Sequence, residues 1–168
     1  LRGDRRAIRA GVLVIATGSR PRCPPDVPLD HENILDSDSI LSMTYLPRTL
    51  AVLGGGVIAS EYASIFAALG VRVTMIDKAP RPIGFVDPEL TQRFVRAFEL
   101  AGGSYRGGVR TTSVAWDGVS QVRLTLDDGS TLAADKVLCA LGRVANIEGL
   151  ALDKAGLGPN ARGLLTVD

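Results

Sequence analysis

The stretch that most constrains this chain is Thr49 to Asp77, T-L-A-V-L-G-G-G-V-I-A-S-E-Y-A-S-I-F-A-A-L-G-V-R-V-T-M-I-D. Leu50 to Leu53 is a short run without a polar residue, the pattern of a strand buried on both faces of a parallel sheet. Gly54-Gly55-Gly56-Val57-Ile58-Ala59 follows with no spacer and fits G-x-G-x-x-[G/A]. From Val57 to Leu69 the apolar residues Ile58, Tyr62, Ile65, Phe66 and Leu69 recur with helical spacing. Gly70 stands where helices commonly end in the left-handed conformation. Val71 to Ile76 is a second apolar run, and Asp77 closes it. The pattern predicts strand, tight turn, helix and strand, a unit of an α/β fold with a parallel sheet.

That order of parts has a chemical use. Gly54 lets the chain turn sharply out of the strand, and Gly56 leaves the backbone bare for the approach of a pyrophosphate. Ala59 is small enough for the helix to lie close on the sheet. The helix, beginning at Val57, turns free N–H groups and a positive dipole end toward an anion. Asp77 comes about 20 residues past the turn, where a carboxylate accepts hydrogen bonds from the hydroxyls of an adenosine ribose. The alternative is a tight β-to-α turn that binds nothing.

Composition closes off other classes. The 168 residues suffice for one domain, or for one domain with pieces of a second. A formal net charge of +1 gives no electrostatic case for nucleic acid or an anionic membrane. No apolar stretch approaches the ~20 residues that span a bilayer, and no signal peptide is evident. The two cysteines, Cys23 and Cys139, are far apart and form no metal-type or C-x-x-C cluster. Cys139 lies in an apolar run and reads as a small buried residue. The first residue is Leu1, and Leu1-Arg2-Gly3-Asp4-Arg5-Arg6 reads as the middle of a longer chain.

Elsewhere, residues 5–9 read as a charged edge strand and Val12 to Ala16 as a fully apolar strand. Pro21, Pro24, Pro25 and Pro28 make 21–33 an extended connection, in which His31 reads as a solvated loop residue. Asp36 to Met43 predicts a short helix capped by Asp36 or Ser37. Asp87-Pro88-Glu89 is a helix start, with Leu90, Phe94, Val95, Phe98 and Ala101 turned inward and Gly102-Gly103 ending it. Ser104 to Arg106 is a third candidate strand. Val109 to Trp116, Val122 to Leu126 and Thr131 to Ala133 alternate like antiparallel strands, with Asp128-Gly129 as a hairpin turn. Trp116 is expected to pack rather than to stack on a base. Val137 to Leu141 is another buried strand, closed by Gly142-Arg143.

Three separated motifs occur in order: V-L-V-I-A-T-G-S-R-P (12–21), G-G-G-V-I-A-S-E-Y-A (54–63) and A-L-G-R-V-A-N (140–146). Together they resemble the flavin-dependent pyridine nucleotide–disulfide oxidoreductases. Within that family, D-S-D-S-I-L-S-M (36–43) and E-Y-A-S-I-F (61–66) look most like the soluble pyridine nucleotide transhydrogenases. Lipoamide dehydrogenase or mercuric reductase types are the alternative inside the family. A non-catalytic dinucleotide-sensing module is the alternative outside it.

The resemblance implies a Rossmann-like parallel sheet flanked by helices, an antiparallel three-stranded β-meander as crossover, and short flavin-domain remnants at both ends. Residues 1–20 would belong to the flavin domain, 21–47 to a connector, 48–146 to the NAD(P)-binding domain, and 147–168 to the return toward the flavin domain. By that resemblance Gly54, Gly56, Val57 and Ala59 bind phosphate and Asp77 binds ribose. Ile58, Glu61 and Gly142 lie toward the nicotinamide, and Thr111 lies by the adenine. Asp77 favours NAD(H), while Lys78 and Arg81 leave NADP(H) open. No second G-x-G-x-x-G, no C-x-x-x-x-C redox pair and no metal cluster accompanies them. The expectation is a piece that binds NAD or NADP without turning over and does not itself hold FAD. It has no catalytic residue of its own, and its partner is the flavin domain of a cytoplasmic, homodimeric parent.

Overall fold

The computed structural model describes residues 8–166. In chain order its strands are β1 (Ser19–Pro21), β2 (Ile34–Asp36), β3 (Thr49–Leu53), β4 (Arg72–Asp77), β5 (Ser104–Gly107), β6 (Thr111–Trp116), β7 (Val122–Leu126), β8 (Thr131–Ala134), β9 (Lys136–Cys139) and β10 (Arg143–Ala145). Helices α1 (Val57–Ala68) and α2 (Pro88–Leu100) follow β3 and β4, and two 3-10 turns span Ser39–Ser42 and Leu152–Ala155. The chain divides into two compact units, one of residues 21–144 and one of residues 1–20 with 145–168.

The larger unit is built on a parallel sheet in the order β2–β9–β3–β4–β5. Side chains alternate between the faces of a strand, and β3 shows what that does. Leu50 and Val52 enter one core with Ala59, Ala63 and Phe66 of α1 and Phe98 of α2. Ala51 and Leu53 enter a second core with Val114, Val122, Leu124 and Leu126 of the antiparallel meander β6–β7–β8. The sheet is thus the middle of three layers, helices on one face and meander on the other. Burial on both faces is why its strands read as unbroken apolar runs.

At the N-terminal end of the sheet, Asp135 and Thr49 fix the register of β3 and β9. The Asp135 carboxylate accepts from the amides of Arg48 (2.8 Å) and Thr49 (3.2 Å), and the Thr49 hydroxyl accepts from the Asp135 amide (2.8 Å). The meander hairpin closes at Leu126 and Ser130, with Gly129 at φ 81° supplying the left-handed position of the turn. Trp116 packs half-buried against the meander core, and Cys139 is buried.

Several expectations need correction. Val12 to Ala16 is not a strand, and Val12, Leu13 and Val14 are 83%, 79% and 81% exposed. An apolar strand of this kind draws its hydrogen bonds and contacts from neighbours on both sides, and none lies alongside it among the described residues. Residues 8 and 9 are not strand either, and residues 5–7 lie outside the described residues. Ile34–Asp36, inside the expected 21–47 connector and ending on the expected helix cap, is an edge strand pairing with β9. The helix expected over 36–43 is one 3-10 turn, and Asp36 reaches over it, accepting from the amides of Asp38 (3.0 Å) and Ser39 (2.7 Å).

Both long helices bury only part of the stripe that their apolar residues mark: Phe66 in α1 and Phe98 in α2 are buried as expected. In α1 the buried face is Ala59, Ser60, Ala63, Phe66 and Ala67, while Ile65 and Leu69 stay 54% and 56% exposed. Small residues spaced by four let the helix axis approach the sheet. In α2, Thr91 and Phe98 are buried and Phe94 stacks on Phe98 with ring centroids 6.1 Å apart. Leu90, about 100° around the helix from Thr91, faces out, and so does Ala101.

In the smaller unit the Arg20 guanidinium donates to both Glu148 carboxylate oxygens (2.9 and 2.7 Å) and to Asn146 Oδ1 (3.0 Å). Asn146 in turn donates to the carbonyls of Gly18 (3.0 Å) and Thr17 (3.1 Å).

Candidate functional site

The C-terminal ends of β3, β4 and β9 open into a cleft of about 600 Å³. Gly54 turns the chain out of β3 with φ 114°, a conformation that disfavours side chains. A Cβ there would stand 2.6 Å from the carbonyl oxygen of Ala140, at the end of β9. Gly54 is therefore glycine for two reasons internal to the chain. At Gly55 a Cβ would crowd Asp77 Cβ and Tyr105 Oη, each at 3.1 Å.

Gly56 is different. It is the N-cap of α1, with φ −78° and ψ −175°, angles open to any residue. A Cβ at Gly56 would meet no atom within 4 Å. Neither backbone conformation nor contact within the chain calls for glycine at this place. What the missing side chain leaves is room, directly over the first turn of α1. The amides of that turn have no carbonyl one turn behind them, no side chain caps them, and no acidic residue sits among them.

Asp77 borders the same space from the end of β4. Its Oδ2 accepts from the Gly55 amide (2.5 Å) and its Oδ1 from the Ala79 amide (2.6 Å). Each carboxylate oxygen has a second lone pair, so Asp77 is oriented by the backbone and retains capacity to accept. Gly55 is tied on its other side as well, its carbonyl accepting from the Ile83 amide (2.6 Å). Turn, acid and following loop form one hydrogen-bonded unit.

Of the residues singled out from sequence, Gly54, Gly56, Val57, Ile58, Asp77, Lys78, Thr111 and Gly142 line this one cleft. Ala59 lies beneath it, fully buried. Two are placed elsewhere. Glu61 is exposed on α1 and outside the lining. Arg81 donates to the carbonyls of Val86 and Gly84 (both 2.6 Å) and to Thr91 Oγ1 (3.2 Å), so its guanidinium holds the loop before α2.

Sequence reasoning missed Arg22, Asp26 and Arg110, which also line the cleft. Arg110 adjoins Thr111, so nearness to a chosen position was the only available signal. Arg22 and Asp26 sit in the proline-rich connection, where nothing local marks them. The connection is brought in by pairing of the Arg22 amide with the Gly142 carbonyl (2.9 Å) and by the Cys139 thiol against the Arg22 carbonyl (3.9 Å). Arg22, Lys78 and Arg110 give the cleft three cations against Asp26 and Asp77, a field that suits a polyanion with one hydrogen-bond-donating end.

Burial, with smaller effects from nearby acids, pushes the Cys139 thiol up to about 11, which leaves it protonated and unreactive. His31 is exposed, 3.8 Å from Asp36. No group of three or more potential metal ligands occurs among the described residues, and no helix there is long and apolar enough to cross a membrane.

Comparisons with known proteins place the chain in one family. The model of a family described as pyridine nucleotide-disulphide oxidoreductase matches residues 1–168. A soluble pyridine nucleotide transhydrogenase of Marinobacter nauticus is 45% identical over 92% of this chain and 33% of its own length. Another from Mycobacterium bovis is 36% identical over 99% of this chain and 36% of its own. Among solved structures, LpdA from Mycobacterium tuberculosis superposes with a TM-score of 0.84 at 30% identity, covering 90% of this chain and 33% of that one. The HOCl-induced flavoprotein disulfide reductase RclA from Escherichia coli gives 0.82 at 28% identity, covering 91% and 35%. The chain spans about a third of the length of the curated relatives it matches.

Proposed function

Because this chain belongs to the pyridine nucleotide-disulphide oxidoreductase family, we propose that its cleft binds a nicotinamide dinucleotide. The diphosphate lies on the first turn of α1, and the adenosine ribose hydroxyls donate hydrogen bonds to Asp77. The observation that carries this reading is Gly56, a glycine that its own chain does not need. A diphosphate on the amides of Val57 and Ile58 would occupy the volume a side chain would take. Thr111 and Arg110 then border the adenosine end, while Ile58 and Gly142 border the nicotinamide end, with Glu61 one turn farther along α1.

We infer that residues 48–146 act as the NAD(P)-binding domain of a longer flavoenzyme, with 1–20 and 147–168 as parts of its flavin domain. The exposed apolar run Val12–Val14 supports this, since such a strand needs a neighbour that the rest of a flavin domain would supply. A bound nicotinamide would supply hydride exchange with the flavin of that parent; the chain's own residues bind and orient it. The parent is read as a cytoplasmic, homodimeric soluble transhydrogenase, in line with the relatives' names. A disulfide reductase is the second reading, favoured by the likeness to RclA. A C-x-x-x-x-C in the parent upstream of Leu1 would select it. Asp77 favours NAD(H), and Lys78 with Arg110 is compatible with the extra phosphate of NADP(H).

Titration calorimetry of the chain with NAD⁺ tests the reading. Saturable binding is expected, weakened about tenfold or more by Asp77→Asn, as befits loss of a charged hydrogen-bond acceptor. No saturable heat at millimolar NAD⁺ would overturn the proposal, and equal curves for both proteins would remove Asp77 from the site.

A further inference from the structure

We propose that Tyr105 is a positioning residue for the ribose acid: it locks the loop after β4 so that Asp77 is set for a ribose diol before the ligand arrives. This rests on the dinucleotide reading above and adds a residue that neither the glycine turn nor the acid pattern points to.

Tyr105 lies on β5, opposite Met75 of β4, and its side chain reaches under the loop that follows Asp77. Its hydroxyl donates to the Ala79 carbonyl at 2.9 Å. The Ala79 amide donates to Asp77 Oδ1 at 2.6 Å. One residue of the loop is therefore held from both ends, by the phenol at its carbonyl and by the carboxylate at its amide. The Gly108 amide also donates to the Ala79 carbonyl (3.1 Å), and the Val109 amide to the Asp77 carbonyl (3.2 Å), so the loop is stitched to the end of β5.

Room for the phenol ring is made by two glycines. A Cβ on Gly107 would stand 2.7 Å from Tyr105 Cε1, and one on Gly55 would stand 3.1 Å from Tyr105 Oη. Gly55 is the middle glycine of the phosphate-side turn, and it is also the residue whose amide holds Asp77 Oδ2. The phenol hydroxyl thus lies beside Gly55 and on Ala79, the two residues whose amides hold Asp77. Burial, and then the negative charge of Asp77, pushes the phenol up to about 12. It keeps its proton through neutral pH and remains a donor to Ala79.

Removing the hydroxyl leaves the ring and its contacts in place. It takes from the Ala79 carbonyl the shorter of its two hydrogen bonds, so the carboxylate is less well ordered before the ribose binds, at a cost in affinity. Tyr105→Phe is expected to weaken NAD⁺ binding by about three- to tenfold, the range of one neutral hydrogen bond. The discriminating ligand is an NAD⁺ analogue built on 2′,3′-dideoxyadenosine, which offers Asp77 no hydroxyl. Its affinity is expected to be weak but unchanged by Tyr105→Phe. An unchanged NAD⁺ affinity overturns the proposal. An equal loss with both ligands also overturns it, because the residue is then supporting the cleft in general. Absence of NAD⁺ binding by the unsubstituted chain would sink the dinucleotide reading itself, a result distinct from either of these.

Discussion

Helices α1 and α2 follow consecutive strands of one sheet and enter the same core, yet their first turns are finished in opposite ways. Helix α2 is closed by its own sequence. Asp87 caps it, accepting from the Glu89 amide at 2.8 Å, Pro88 brings no N–H to satisfy, and Glu89 sets a negative charge at the positive end. Helix α1 has a glycine cap, no side-chain acceptor and no acid in its first turn. A helix end needs partners for its free amides from side chains, water or ligand. The contrast teaches that the open end is a property of place: the closed helix starts in a loop, and the open one starts at the cleft where β3, β4 and β9 end.

The comparison can be broken hardest at the turn that delivers the chain to α1. Gly54→Ala combines a side chain at φ 114° with a contact 2.6 Å from the Ala140 carbonyl. It is expected to cost about 3 kcal/mol or to prevent folding, read as a lowered denaturant midpoint. A neutral outcome would mean that β3 and β9 are less closely apposed than described.

Giving α1 the finish of α2 sharpens the point. Gly56→Asp introduces a cap where a Cβ meets nothing, so stability is expected to stay level or rise by a few tenths of a kcal/mol. NAD⁺ affinity is expected to fall at least tenfold, about 1.4 kcal/mol, since the new carboxylate takes the amides and repels phosphate. Retained affinity in calorimetry would place the diphosphate elsewhere. The smallest effect is the converse. Asp87→Ala uncaps α2 and is expected to cost about 1 kcal/mol of stability, with NAD⁺ affinity unchanged. A drop in affinity there would show the two helix starts to be coupled.

How legible these features were depends on how local their causes are. Asp87-Pro88-Glu89 was readable because cap, first turn and dipole all act within three residues. The turn at 54–59 was readable because strand, glycines and helix are contiguous. Exposed Leu90, Ile65 and Leu69 were not readable as such, because which stripe of a helix is buried depends on what lies across from it. For α1 that neighbour is the parallel sheet, which Ala59, Ala63 and Ala67 let it approach closely. Val12–Ala16 failed for the same reason in reverse, an apolar run with no neighbour among the described residues.

The sequence by itself determined the order of elements from β3 to β9, the two-faced burial of the parallel strands and the place of the glycine turn and its acid, since period, capping and left-handed glycine positions are short-range physics. Only the tertiary structure decided which charges share the cleft. It carried Arg22 and Asp26 in from the connection, brought Arg110 with Thr111 to the cleft, turned Arg81 away into its own loop, and set the Tyr105 hydroxyl on the Ala79 carbonyl beside Asp77. Those placements depend on strand register and on hydrogen bonds between residues 26 to 120 positions apart in the chain, such as Tyr105 to Ala79 and Arg22 to Gly142. No local pattern encodes such a distance.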